Sequence, residues 1–270
     1  MSDFQLVRLE FHETDASAGF AGWLADEGVS VAFTSAPRLF FAGLRPDGRL
    51  ALTDRQYGPC SALVAAGPDT LFLATRFQVW RLENALPAGT LTDDGHDRLF
   101  VPQMAWTTGL LGVHDIAVGA GGEPLFVNGR FSCLSRPHER LNFEPVWLPP
   151  FVSALSPDDR CHLTGVAVDD TGHPAYVTCA APTDAANGWR DHQRDGGVVV
   201  DVASGEIVCA GLSLPHSPRL RDGRLWLANA GEGQFGYVDL AAGLGRFEPV
   251  ASVPGFARGV GLHGRFAVVG

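Results

Sequence analysis

The chain has 270 residues, 46% hydrophobic and 19% charged, with 33 glycines and 18 prolines, enough apolar surface for a sizeable core. Acidic residues outnumber basic ones 30 to 20, and the net charge of −10 repels nucleic-acid backbones and anionic membrane surfaces. Apart from histidine, every basic residue is arginine, so Schiff-base chemistry, covalently held pyridoxal phosphate and a P-loop lysine are excluded.

The first 28 residues read as an N-terminal segment. They lack the basic start and apolar stretch of a signal peptide, and no later run reaches the roughly 20 apolar residues of a membrane-spanning helix. Cys60, Cys133, Cys161, Cys179 and Cys209 are odd in number and widely spaced, with no C-x-x-C pair. That pattern fits neither a disulfide scaffold nor a structural zinc site, and it suits a reducing cytoplasm. A cytoplasmic location is the expectation.

Beyond residue 28 the chain repeats. A short apolar run follows a turn at Leu71-Phe-Leu-Ala-Thr, Leu125-Phe-Val-Asn, Ala175-Tyr-Val-Thr, Leu225-Trp-Leu-Ala and Phe266-Ala-Val-Val. Each is preceded by another short apolar strand and a tight turn. Phe143-Glu-Pro-Val recurs as Phe247-Glu-Pro-Val, two repeat lengths later. Short strands, frequent glycine turns and a period near 50 predict a β-propeller of four-stranded blades over residues 29–270. The spacing gives about six blades, the last one incomplete and beginning near Gly255. Either the strands between Val29 and Phe41 complete that last blade, or the propeller is truncated.

Several motifs also resemble one bacterial family. They are Asp94-Gly-His-Asp-Arg-Leu, His114-Asp-Ile-Ala-Val, Trp147-Leu-Pro-Pro-Phe, Asp159-Arg-Cys-His-Leu-Thr-Gly, Pro215-His-Ser-Pro-Arg and Pro254-Gly-Phe-Ala-Arg-Gly. Asn128 with Arg130-Phe-Ser-Cys-Leu and Gly188-Trp-Arg add to them. Together they resemble the conserved hypothetical protein family CHP03032, also described as a domain of unknown function (DUF4915), from about Val31 onward. The resemblance implies a propeller and no established activity. Family members usually carry Asn where this chain has Thr164, and usually continue past Gly270.

The repeat also serves as a ruler. Val64, Val118, Val168, Leu220 and Leu262 end equivalent strands. Four residues upstream of each stand Cys60, His114, Thr164, His216 and Arg258, and the next step adds Ser61, Asp115 and Ser217. The first strand of every propeller blade lines the central channel, so these positions are expected to converge at one mouth. Strand alternation would put His162 on the face of Thr164.

The candidate catalytic set is therefore His114, Asp115, His162 and His216, with Asp115 as imidazole orienter or general base. Arg258, Thr164, Ser217, Arg160, Arg190, Asn128 and Asn229 are candidate ligand-binding residues, Asp159 a rim contributor. His114, His162 and His216 have the residue types to bind a divalent metal, zinc or ferrous iron, with an open position for substrate.

Against this stands the plain reading of a polar ring that satisfies backbone groups, with Asn128 and Asn229 serving turns and the tryptophans serving blade packing. Thr183–Gly196 is either a lid over the mouth or a surface excursion. Gly231-Glu-Gly-Gln-Phe-Gly matches a dinucleotide fingerprint, but it lies between two β runs with no helix after it, and is read as a blade turn. The expected function is binding of a small polar or anionic ligand at the mouth, with hydrolase or lyase chemistry. The alternative is a scaffold for a protein or peptide, using Phe131-Ser-Cys-Leu, Trp147-Leu-Pro-Pro-Phe and the Thr183–Gly196 loop.

Overall fold

The structure, a computed structural model, describes residues 16–17, 19–35, 37–240 and 245–270. The rest of the N-terminal segment therefore lies outside the described residues. What is described of it forms a short helix, α1 (Phe20–Glu27), which buries Leu24. The helix stops at Gly28, whose φ of +62° suits a residue without a Cβ, and Val29 N–H then bonds back to the Leu24 carbonyl.

Everything after α1 is strand and turn. The first sheet has three strands, β1 (Val31–Ser35), β2 (Arg38–Leu44) and β3 (Leu50–Gln56). Four antiparallel four-stranded sheets follow. The second blade is β4 (Cys60–Ala65), β5 (Thr70–Thr75), β6 (Gln78–Asn84) and β7 (Phe100–Thr107). The third is β8 (Ile116–Val118), β9 (Pro124–Asn128), β10 (Cys133–Arg136) and β11 (Glu144–Trp147). The fourth is β12 (Leu163–Val168), β13 (Pro174–Cys179), β14 (Gly197–Asp201) and β15 (Ile207–Leu212). The fifth is β16 (Pro215–Arg221), β17 (Arg224–Asn229), β18 (Gln234–Asp239) and β19 (Phe247–Ser252). A hairpin, β20 (Val260–His263) and β21 (Phe266–Val269), ends the chain.

This is a propeller, as the repeat predicts. The count of about six is corrected to five blades, the first of three strands, plus a two-stranded hairpin. The five repeated apolar runs fall on β5, β9, β13, β17 and β21, each second in its sheet. The literal repeat falls on β11 and β19, the outermost strands of blades three and five. The glycine-rich Gly231–Gly236 stretch joins β17 to β18 as the blade turn expected.

The innermost strands neighbour one another in turn: β1 with β4, β4 with β8, β8 with β12, β12 with β16, and β16 with β20. The strands after Val29 do not complete the hairpin, since β1 pairs only with β2. The gap between first sheet and hairpin is spanned instead by α1. The helix lies against β2, its Trp23 ring packs edge-on against Phe266 with centroids 5.6 Å apart, and Glu27 bonds His263 at 3.3 Å.

The core lies between blades, where second and third strands stack. Val127, Leu134, Leu163, Val166, Val177 and Val200 belong to one buried cluster shared by blades three and four. Phe72, Val79, Ile116 and Phe126 belong to another, between blades two and three. All five cysteines are free, four of them buried. No helix among the described residues is long and apolar enough to cross a membrane.

Candidate functional site at the channel mouth

The inner strands begin at one end of the channel, and their ladders are irregular there. Register shifts occur between Cys60 and Ala62, between Leu163 and Gly165, and between His216 and Arg219. Such bulges re-aim side chains at the rims of closed sheets. Backbone strain gathers at the same end. Asp159, His162, Leu214 and Ser217 hold φ between +46° and +52° without being glycine. Each such residue costs on the order of 1–3 kcal/mol and persists only where its surroundings enforce it.

Three imidazoles meet there. The ring of His114 lies 4.7 Å from that of His162 and 6.4 Å from that of His216, centroid to centroid. His162 reaches the cluster by its left-handed backbone just before β12, and not by the strand alternation expected from Thr164. A residue in that conformation breaks the two-residue period, so Thr164 points elsewhere.

His162 is the most elaborately held. Its Nδ1 lies 2.8 Å from Asp159 Oδ1, and Trp189 Nε1 donates to Asp159 Oδ2 at 3.0 Å. The Trp189 indole stacks on the imidazole at 4.1 Å and 20°, and Arg190 lies over the indole at 4.6 Å. Trp189 and Arg190 sit on a short 3₁₀ turn, Gly188–His192, within the Thr183–Gly196 segment. That segment therefore packs against the mouth, with Trp189 buried against Ala180 and Ala181.

His216 is buried, and its Nδ1 lies 2.8 Å from the Leu214 carbonyl. A carbonyl can only accept, so Nδ1 carries the proton and Nε2 presents a lone pair. That Nε2 is buried without a partner. Burial pushes the His216 pKa down to about 4, helped by Arg258 and His162 and opposed by the Leu214 bond and Asp115. His114 is held well below its ordinary value, first by burial and then by His162, His216 and Arg258. Phe256 packs edge-on against His216 at 5.2 Å, and Arg258 lies 5.4 Å from the Phe256 ring.

Other expected site residues are spent on the protein itself. Asp115 does not orient an imidazole. Its carboxylate takes both guanidinium nitrogens of Arg219, at 2.8 and 2.9 Å, and the backbone N–H groups of Ile116 and Val166. Arg219 also bonds the Val260 carbonyl, so the pair ties four inner strands together around the channel. Thr164 is fully buried, bonded to Thr178 and to the Pro215 carbonyl. Ser217 donates to the Arg258 carbonyl and so places that residue's backbone.

Asn128 accepts from Phe131 N–H and Asn229 from Ser213 N–H, both turn service and not ligand contact. Arg160 bonds Asp158, Asp184 and Ser153, fastening the Thr183–Gly196 segment, and Asp184 is held down at about 2 by the Ser153 N–H and Arg160. Cys60 is no thiolate, since burial raises its pKa to about 11. Among the described residues, no group of three or more His, Cys, Asp or Glu side chains is arranged to hold a metal ion. The nominated scaffold contacts serve packing: Phe131 meets Phe143 at 4.8 Å, and Trp147 Nε1 donates to the Val202 carbonyl.

Sequence reasoning placed Asp159 only at the rim, gave Trp189 to blade packing and overlooked Phe256 and Arg219. The one local signal was Asp159 three residues before His162.

A family model described as "Domain of unknown function (DUF4915)" matches residues 18–270. A comparison with curated proteins finds no match. Among solved structures, one of a nidogen/laminin complex is similar at TM-score 0.55 and 11% identity, covering 89% of this chain and 84% of that one. A protein described as an oxidoreductase (glucose dehydrogenase) from Thermus thermophilus gives 0.54 and 15%, over 87% and 84%. An inactive virginiamycin B lyase variant from Staphylococcus aureus with quinupristin gives 0.49 and 11%, over 88% and 75%. At these identities the likeness is one of fold, since propellers of one shape host unrelated chemistries.

Proposed function

The chain belongs to the DUF4915 family, and from that premise we propose that its channel mouth binds a small anionic ligand and acts on it by acid–base chemistry of the hydrolase or lyase class. The observation that carries this reading is the His216 Nε2, a buried lone pair with no partner in a site otherwise crowded with hydrogen bonds. A buried polar atom left unpaired is costly, and a ligand donor would satisfy it. Anion preference follows from Arg258 and Arg190, neither of which has a carboxylate partner among the described residues of a chain carrying −10 overall.

The acid–base group is His162. Asp159 accepts from its Nδ1–H, which fixes the tautomer, leaves Nε2 free to take a proton and stabilises the imidazolium that results. Trp189 fixes Asp159 in turn. His114 and His216 stay neutral near pH 7, so they accept or donate hydrogen bonds without adding charge. Strain at Asp159 and His162 supports the same reading, because proteins retain it where function requires a fixed geometry.

Calorimetric titration with acetate, phosphate and sulfate tests the binding step. Binding at neutral pH that is lost in Arg258→Gln is expected; equal binding by that variant would overturn the reading. Elemental analysis of the purified protein tests the chemistry. Near one zinc or iron per chain, lost in His114→Ala/His216→Ala, would replace acid–base with metal-assisted catalysis.

A further inference from the structure

Below the mouth the channel continues as a cavity of about 540 Å³, within the size range of small-molecule sites. Its wall changes character along the axis. Near the strand starts it is polar, formed by His114, Ser217, Arg258 and the Asp115–Arg219 pair. Farther along it is lined by Val31, Phe33, Leu63, Ala65, Val260 and Leu262. Trp23 of α1 joins the lining at the far end, where Glu27 meets His263. Phe33 and Val268, both on this lining, are 40% and 38% exposed, large apolar side chains open to the cavity. Apolar surface wetted inside a channel is unfavourable, and covering it with an apolar chain recovers that free energy.

We infer that the channel takes the apolar tail of an amphipathic carboxylate, a linear acyl chain whose head group sits at Arg258. This rests on the anionic reading of the mouth and adds the substrate class. Among the described residues, the apolar stretch of the lower channel has no cation to hold a second charge, so the charged end belongs at the mouth.

The test is a titration series of butanoate, hexanoate, octanoate and decanoate, each below its micellar concentration, followed by calorimetry and by tryptophan fluorescence. Affinity should rise about fourfold per added methylene. Arg258→Gln should weaken every member by one common factor and leave that dependence on length intact. Phe33→Ser should flatten it, and Ala65→Trp, which narrows the channel from an exposed position, should make affinity level off at a shorter chain. The fluorescence change for the longer members should be lost in Trp23→Phe. Melting curves confirm that each variant is folded.

If acetate and butanoate bind and the affinity does not rise with length, the acyl channel is wrong while the mouth reading stands. A rise with length that is unaffected by Phe33→Ser and Ala65→Trp would place the chain elsewhere and overturn the inference. Failure of every carboxylate to bind would remove both readings.

Discussion

Blade four and the terminal hairpin are built from the same kind of strand, yet they differ in how much they bury. In β12 every residue but the last is buried, and β14 is nearly as enclosed. In β20 only Val260 is buried, and no residue of β21 is. The difference comes from neighbours, since a blade buries its faces only against the blades beside it. Blade four has a full blade on each side. The hairpin has blade five on one side and a single helix, α1, on the other. The polar half of the candidate site stands on the enclosed blades, where strain can be held. The apolar lower wall draws on β1 and β20, the less enclosed ends.

The contrast can be broken most forcefully in the core. Phe126→Ala, at a fully buried ring between blades two and three, should cost about 3–5 kcal/mol in a urea unfolding curve. An effect below about 1 kcal/mol would mean that the enclosed blades do not carry the stability.

The next expected effect concerns acid. His216 titrates at about 4 when folded and about 6.5 when unfolded. Between those values the unfolded chain takes up a proton that the folded one resists. Stability is therefore complete above about pH 6.5 and declines as the pH falls towards 4, by about 3 kcal/mol from this residue. His114 acts in the same direction. His216→Asn keeps a donor for the Leu214 carbonyl and removes the titrating group, so its urea midpoint should drop less between about pH 7 and 4.5 than that of the wild type. An equal drop would assign the acid sensitivity to other groups.

Asp115→Asn separates structure from catalysis. The pair with Arg219 is 4% exposed on one side and 26% on the other, so its loss should cost about 2–3 kcal/mol, less than a fully enclosed pair. Ligand binding by the folded variant should persist. Smallest of all, Val268→Ala on the hairpin should change stability by less than about 1 kcal/mol, since the side chain is already open to solvent. Amide exchange sharpens the comparison: β20 and β21 should exchange well before β12 to β14, and uniform protection would contradict it.

The propeller was legible because its evidence is local and repeated. An apolar run after a glycine turn, restated about every fifty residues, requires nothing beyond the strand period and turn chemistry. Blade number was less legible, because the ruler counts strand starts and cannot tell a two-stranded hairpin from a blade. The closure by α1 was invisible, since eight residues with no side-chain cap carry a weak helix signal.

Of the site, the sequence by itself determined that His114, His216 and Arg258 stand at equivalent places on successive inner strands, because the repeat fixes register and register fixes position. What those residues do there was decided only by tertiary structure. Asp115 turned to Arg219, 104 residues away, and Trp189 came from a loop to stack on His162. His162 itself reached the cluster through a strained backbone that no periodicity predicts. Hydrogen bonds and ring contacts depend on which groups the closed ring brings within a few ångströms, and that distance is set by the packing of whole blades.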